Sequence, residues 1–287
     1  MDFGLSTHLF HAEPLGPGHF DAAAAHGFAA VEVFATRSHV DYHEPQVGRE
    51  LAAWSAAAGV RLHSVHAPIT AFLHGTTWGP PFSTGAAQAA ERARTIDECT
   101  RALALAEHAP YRYLVLHLGV PDEYAPPSGD NQRDAVLRTL EALSPVAAQV
   151  GVTIAVEVIP NALSTARQLV KLIEDEDFPG LGICLDVGHA RLQGDVVDAL
   201  ETVAGYLVTT HLHDNGGRRD DHLVPFDGVI DWAELAIGFQ KVGYDGTLLF
   251  ELAAGPDGAA ATLRRAAAAR ERLASLLGSD GFTFSDE

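Results

Sequence analysis

The sequence predicts an α/β protein, a single (β/α)8 TIM barrel with its active site at the C-terminal ends of the strands. Short β-rich runs alternate eight times with longer, Ala-rich helical patterns, and the composition does not change along the 287 residues. Such alternation is typical of parallel strands joined by crossover helices. Gly27, Gly59, Gly151 and Gly243 each stand between a helical pattern and the next strand, where a helix end favours a left-handed residue.

The predicted strands are short runs rich in β-branched, aromatic and other apolar residues. In chain order they are Phe3–Thr7, Ala30–Phe34, Arg61–Val65, Tyr113–Leu118, Thr153–Val158, Gly182–Asp186, Tyr206–Leu212 and Thr247–Leu252. Since eight parallel strands close a barrel, we expect residues 1–287 to form one domain, with a frayed tail at 280–287.

The predicted helices lie between these strands and after the last one. In chain order they are His19–His26, Pro45–Ala58, Ala86–His108, Asp130–Val150, Leu163–Asp175, Val196–Ala204, Trp232–Val242 and Ala259–Leu277. The long loops Ala67–Ser83 and Asn215–Asp227 leave the C-terminal ends of strands, so they are predicted lids or substrate walls.

Composition limits the classes of function. The chain is 47% hydrophobic, which is enough for a large core, and it has no apolar run of the roughly 18 residues that span a bilayer. The N-terminus has no basic region followed by an apolar one, so we expect a cytoplasmic protein without a membrane partner. The net charge of −19 repels phosphate backbones, which disfavours nucleic acid as a partner.

The two cysteines are predicted to be buried small apolar residues. Cys99 lies in a helical pattern and Cys184 in a strand, and they do not form a CxxC pair. The sequence therefore predicts neither a disulfide framework nor a cysteine zinc site.

Metal-binding residue types stand at or near the end of the third to the eighth predicted strand. Because these ends converge in a closed barrel, side chains remote in sequence are expected to meet on one face. In chain order they are His63, His66, His117, Glu157, Asp186, His189, His211, His213 and Glu251.

Glu157 and Glu251 interrupt strands that are otherwise apolar. An unpaired buried carboxylate costs several kcal/mol, so each needs a cation nearby. With Asp186 and His211 they would form a four-ligand centre. Carboxylate oxygens with one imidazole suit one divalent ion of Mn, Mg, Co or Zn.

Three further residues in strands have two open interpretations each. His63 and His213 lie close to His66 and His211, and each either supports a ligand or contacts substrate. Glu32 interrupts the second strand, where it either contacts substrate or forms a salt bridge with an arginine.

The roles of four residues in loops and at the ends of helices or strands also have two interpretations. Arg218 and Arg219 are either substrate-binding or a solvated charge pair. Trp232 and Phe10 are either sugar-stacking surfaces or core residues.

Several motifs together resemble the xylose-isomerase-like barrel superfamily, which includes sugar isomerases and epimerases, inosose-processing enzymes and the endonuclease IV group. The resemblance covers essentially the whole chain. The motifs are Val65-His-Ala-Pro68, Leu116-His-Leu-Gly119, Val156-Glu157, Leu185-Asp-Val-Gly-His-Ala190, His211-Leu-His-Asp-Asn215, Asp221-His-Leu223 with Asp227-Gly-Val-Ile-Asp-Trp232, and Phe250-Glu251.

Resemblance to tagatose and psicose epimerases implies roles for individual residues. It implies that the metal is held by Glu157, Asp186, His211 and Glu251, and that His189 contacts the substrate. A substrate-binding arginine follows the metal histidine in those enzymes, and Arg218 or Arg219 stands in that region with a different spacing.

Resemblance to endonuclease IV implies a different site, with up to three zinc ions and a phosphodiester substrate. The acidic charge and the absence of a Lys/Arg cluster near these residues argue against a DNA-binding groove. The matching residues are His66, His117, Glu157, Asp186, His189, His211, Asp220, His222 and Glu251.

The sequence therefore favours a divalent-metal-dependent isomerase or epimerase that acts on a small ketose or polyol-derived sugar through an enediolate. Glu157 and Glu251 are the expected base and acid. His66, His117, His189, His213, Arg218, Arg219, Asp220 and His222 are the expected substrate contacts or second metal ligands.

Three alternatives remain open at the level of sequence. They are a trinuclear zinc phosphodiesterase, an inosose dehydratase-like lyase and a non-catalytic sugar-binding module, of which the last fits poorly with so many ionisable groups. The oligomeric state is open as well; barrels of this kind often pair through their outer helices or active-face loops, which makes a homodimer or homotetramer the candidate assemblies.

Overall fold

Eight parallel strands close into a barrel in the computed structural model, which describes residues 1–74, 77–123, 129–176, 178 and 180–278. Each strand pairs with its neighbours in sequence, and the first pairs with the last, with Leu5 opposite Phe250. The (β/α)8 prediction is therefore confirmed. The strands are β1 Asp2–Ser6, β2 Ala30–Phe34, β3 Arg61–His66, β4 Tyr113–Leu116, β5 Thr153–Glu157, β6 Leu181–Asp186, β7 Leu207–Leu212 and β8 Thr247–Phe250.

The α-helices of the described residues surround the barrel. Short 3-10 turns also occur at Thr7–Phe10 and Leu105–Glu107. The helices are α1 Pro17–Ala25, α2 Gln46–Ala58, α3 Ala89–Ala104, α4 Arg133–Gln149, α5 Ala166–Asp175, α6 Val187–Gln193, α7 Val196–Val203, α8 Trp232–Val242 and α9 Ala259–Gly278.

Helix ends differ from the predicted ones where a cap or a 3-10 turn sets the limit. Helix α5 begins at Ala166 and not at Leu163, because the Thr165 side chain accepts a hydrogen bond from the backbone N–H of Gln168 and caps the helix. Helix α3 ends at Ala104, where a 3-10 turn replaces its predicted last residues.

Helix α6 is absent from the helices that the sequence predicts. It begins directly after β6, and the Asp186 side chain caps it by accepting a hydrogen bond from the backbone N–H of His189 at 2.7 Å. Seven residues are too few for a recognisable helical period. In the sequence alone, the segment Val187–Gln193 therefore resembles a loop that follows a strand.

The main core lies between the outer face of the strands and the helices. Phe20, Phe28 and Phe239 fill it and are almost fully buried, as is Phe250 on β8. Inside the barrel the residues are smaller, with Val115, Ala155 and Cys184 in contact. This packing leaves the C-terminal strand ends free to carry polar side chains.

Both cysteines are free and buried, as predicted. Burial raises the pKa of the Cys99 thiol to about 12, so it behaves as a small apolar group. The described helices include none that is long and apolar enough to cross a membrane.

The two long loops predicted as lids contain local structure. In the first, Leu73–His74 and Thr77–Trp78 pair as a short antiparallel hairpin. In the second, Asp214 and Leu223 form an antiparallel bridge. The predicted frayed tail at 280–287 lies outside the described residues, and the single-domain assignment of 1–287 stays a prediction.

Candidate metal centre

Four side chains meet at the C-terminal ends of β5, β6, β7 and β8. Glu157, Asp186 and His211 are 0% exposed and Glu251 is 3% exposed. One potential ligand atom from each lies within 4.8 Å of those from the other three. The structure thus brings together the four residues that the sequence indicated as a metal centre.

The His211 ring lies among the carboxylates of this group. Its Nδ1 atom is 3.1 Å from Glu157 Oε1, 3.2 Å from Glu251 Oε2 and 3.9 Å from Asp186 Oδ2. Burial alone would lower the pKa of His211, but the surrounding carboxylates raise it well above its ordinary value. Three buried carboxylates around one imidazole nitrogen fit a divalent cation, because the cation replaces the proton as their counter-charge.

Glu157 belongs to a second group as well. Its Oε2 atom is 3.1 Å from His117 Nε2 and 3.4 Å from His66 Nε2, and these three residues also satisfy the spacing of metal ligands. Burial alone would raise the pKa of Glu157, but His211 and His117 hold it well below its ordinary value. Glu157 is therefore an ionised carboxylate with one oxygen directed to each group.

A third group lies on the side of His189. Asp220 Oδ2 is 3.0 Å from His189 Nε2 and 3.1 Å from His222 Nε2. The His213 ring stacks on His222 with centroids 4.0 Å apart. Burial lowers the pKa of His222, but the Asp220 carboxylate outweighs this effect and raises it to about 9.

The loop that carries Asp220 and His222 is held by one buried carboxylate, that of Asp214. It accepts hydrogen bonds from the backbone N–H groups of Asn215, Phe226 and Ile230 and from the Trp232 indole, the last at 2.8 Å. Trp232 is thus a core residue and a loop anchor, and it does not form a sugar-stacking surface. Phe10 is likewise in the core.

The remaining predicted site residues lie outside these groups. Arg218 and Arg219 are exposed, and Arg219 Nη2 lies 3.7 Å from Asp221 Oδ1. His63 Nε2 lies 3.0 Å from Thr209 Oγ1 inside the barrel, below the strand ends. The substrate-binding role of the two arginines stays a prediction.

One interpretation of Glu32, contact with substrate, stays a prediction, and the contacts of its side chain bear only on the other, a salt bridge with an arginine. Its Oε2 atom lies 2.8 Å from Ser64 Oγ and 3.1 Å from His211 Nε2. It does not contact an arginine within the described part of the chain.

Sequence reasoning missed His8, which follows β1 at the same face of the barrel. Its Nδ1 atom lies 3.0 Å from the carbonyl oxygen of Leu252, and its ring centroid is 4.9 Å from that of His222. Burial lowers the pKa of His8 to about 3. The sequence offered one signal for this position, since His8 is the residue directly after the first predicted strand, as expected of a side chain at the C-terminal face of the barrel.

Comparisons with known proteins agree with this architecture. The family model described as xylose isomerase-like TIM barrel matches residues 20–276. An uncharacterised protein of Methanocaldococcus jannaschii is 28% identical over 264 residues, which cover 88% of this chain and 83% of that protein.

Solved structures show the same fold. A D-tagatose 3-epimerase-like protein superposes with a TM-score of 0.76 at 24% identity, covering 96% of this chain and 97% of the other. The IOLI protein, solved with a zinc atom, superposes with a TM-score of 0.75 at 16% identity, covering 99% of this chain and 100% of the other.

Proposed function

Because the chain belongs to the xylose isomerase-like TIM barrel family, we propose that it is a divalent-metal-dependent isomerase or epimerase acting on a small ketose or polyol-derived sugar. The observation that carries the proposal is the placement of His211 Nδ1 among the carboxylates of Glu157, Glu251 and Asp186. Such a group is stable when a cation lies within it, since buried carboxylates repel one another otherwise.

Glu157, Asp186, His211 and Glu251 would hold one ion of Mn, Mg, Co or Zn, as their oxygen-rich donor set suits these metals. When bound, the ion would polarise a substrate carbonyl and so acidify the adjacent C–H bond. The IOLI protein, which has the same fold, binds a zinc atom in its crystal structure, and this supports a metal in the present chain.

The chain's own carboxylates would move the proton. Glu157 is ionised, so its carboxylate can accept a proton from the carbon next to the carbonyl. Glu251 lies on the other side of His211 Nδ1. Burial would raise the pKa of Glu251, but His211 holds it well below its ordinary value. Glu251 would therefore take up a proton from solvent and pass it to the substrate carbon, while Glu157 releases to solvent the proton that it accepted. Return of the proton to the opposite face of the same carbon gives an epimer, and its return to the neighbouring carbon gives an isomer.

Histidines around the carboxylates would orient the substrate hydroxyls. The backbone N–H of His189 is held by Asp186 and its Nε2 lies beside Asp220, so its ring is fixed at the edge of the group. The His117 side chain is 13% exposed and is the most open member of the two groups that share Glu157. Substrate would therefore enter past His117.

The first experiment is metal analysis of protein purified without a metal-affinity tag, followed by a ketose panel assayed by product chromatography. We expect about one divalent ion per chain and exchange of the C–H proton with solvent deuterium. Glu157→Gln should abolish turnover, whereas Glu98→Gln, a change at a buried carboxylate outside the three groups, should retain it. An active Glu157→Gln enzyme would contradict the assigned base.

A second candidate function has its own supporting observation. Two further groups, one with His66 and His117 and one around Asp220, have the spacing of metal ligands, as a trinuclear zinc phosphodiesterase requires. The net charge of −19 disfavours a nucleic-acid substrate. Close to three zinc ions per chain together with cleavage of abasic-site DNA would favour this candidate over the isomerase.

A lyase would share the proton abstraction and differ in its product. The ketose panel separates the two, because a dehydratase releases water and forms an unsaturated or deoxy product, while an isomerase conserves the formula. Mass spectrometry of the products decides between them.

A further inference from the structure

Glu32 is a carboxylate in a buried strand, and the fold directs it toward the candidate metal centre. It is 0% exposed and lies on β2 between two valines. The pairing of β2 with β3 shifts register between Val31 and Glu32, so that Glu32 lies opposite Ser64. A local irregularity of this kind re-aims a side chain, and here it brings the carboxylate to the Ser64 hydroxyl.

One oxygen of Glu32 has two partners. The Ser64 hydroxyl donates to Oε2 at 2.8 Å, and His211 Nε2 lies 3.1 Å from the same atom. A hydroxyl donor on this oxygen leaves it as an acceptor for the N–H of His211. The carboxylate of Glu32 and those of Glu157 and Glu251 therefore face opposite nitrogens of one ring.

A neutral imidazole carries its single proton on one nitrogen, and a metal binds the other. We propose that Glu32 is a positioning residue that keeps the His211 proton on Nε2 and so leaves the Nδ1 lone pair for the cation. This inference rests on the proposed metal centre. It assigns Glu32 to ligand orientation, and Ser64 to the orientation of Glu32.

The chain contains a matched control for this arrangement. Glu98 is also a buried carboxylate, and its Oε2 atom accepts a hydrogen bond from the Tyr42 hydroxyl at 2.7 Å and lies 2.8 Å from His43 Nε2. It repeats the carboxylate, hydroxyl and imidazole chemistry of Glu32 but takes no part in the three candidate metal groups.

The test measures Co²⁺ binding to the purified, metal-stripped protein by competition titration and by the visible absorption of the bound ion. Glu32→Met removes the acceptor and keeps the side-chain length, and we expect it to weaken Co²⁺ binding by about 10-fold to 100-fold and to change the absorption spectrum. Glu32→Gln retains an amide oxygen for the His211 N–H, so it should restore much of the affinity. Glu98→Met should change neither quantity.

If the parent protein binds Co²⁺ and Glu32→Met has the same Co²⁺ affinity and absorption spectrum, the role of Glu32 is overturned and the metal centre stands. A parent protein that binds no Co²⁺ would overturn this role together with the proposed metal centre. If Glu32→Met does not fold, Ser64→Ala replaces it. Weaker Co²⁺ binding in that variant supports the inference, and unchanged binding overturns it.

Discussion

The carboxylate of Asp186 accepts a hydrogen bond from the backbone N–H of His189 at 2.7 Å and lies 3.0 Å from His213 Nε2. One side chain thus begins helix α6 and belongs to the candidate metal centre. The start of the helix and the position of His189 are therefore fixed by the same group that would bind the cation.

Substitution of Asp186 separates these two roles. Asp186→Asn removes the charge but retains a capping oxygen, whereas Asp186→Ala removes both. We expect both variants to lose Co²⁺ binding, and Asp186→Ala to be less stable than Asp186→Asn by about 1 kcal/mol. Urea unfolding of the metal-free proteins measures the difference, and equal stabilities would argue against the capping role.

Gly188 lies where helix α6 approaches the His213 ring. A Cβ atom at this position would overlap the ring, including its Nε2 and Nδ1 atoms. We expect Gly188→Ala to displace His213 and to lower the free energy of unfolding by about 1–3 kcal/mol. Gly205→Ala is the control, since a Cβ there has no atom within 4 Å, and thermal unfolding of both variants gives the comparison.

Asp214 holds the loop that carries Asp220 and His222. Asp214→Ala would leave four hydrogen-bond donors without their acceptor, among them the Trp232 indole. We expect a loss of at least about 3 kcal/mol in the free energy of unfolding and faster hydrogen exchange across residues 215–232. Asp214→Asn retains one acceptor oxygen, so its loss should be smaller. Equal exchange rates in the parent and Asp214→Ala would exclude the anchoring role.

His39 makes stability depend on pH. Burial, opposed by its hydrogen bond to the Glu13 carbonyl and assisted by the nearby His19 and His11, lowers the pKa of His39 to about 4. The unfolded chain binds a proton near the ordinary value of about 6.5. The folded protein therefore loses on the order of 3 kcal/mol of stability as the pH falls from about 6.5 to about 4, and loses nothing from this group above that range.

A comparison of the parent with His39→Asn isolates this contribution. The asparagine amide can still donate to the Glu13 carbonyl but does not titrate. We expect the stability difference between the two proteins to change in favour of His39→Asn as the pH falls from about 7.5 to about 4.5. Denaturant unfolding at several pH values measures it, and a pH-independent difference would contradict the prediction.

Local patterns in the sequence were sufficient to predict the barrel and the four residues that meet at its C-terminal face. Glu157 and Glu251 stood out because an acid within an apolar strand requires a partner, and the closed barrel supplied the geometry. The partner of Glu32 was not predictable, since it depends on a register shift between β2 and β3.

Loop positions were less accessible to sequence reasoning. His222 reaches the site because Asp214 folds the intervening chain back through hydrogen bonds to residues up to 18 positions away. The role of Trp232 as the donor in that contact follows from tertiary structure alone. Helix α6 was missed because its first turn depends on one cap and not on a periodic pattern.

Glu157 directs one oxygen to His211 and the other to His117, so the two groups that contain it share the negative charge of this one carboxylate. An ion bound on one side uses part of the attraction available to an ion on the other, and occupation of either position changes the affinity of the second by the same factor. Where both positions fill, sequential metal titration would give binding steps of unequal strength, and Glu157→Gln would weaken both steps because it removes a ligand from each group. Because of the shared carboxylate, the number of ions bound at the C-terminal face of the barrel would depend on how binding at one group affects binding at the other.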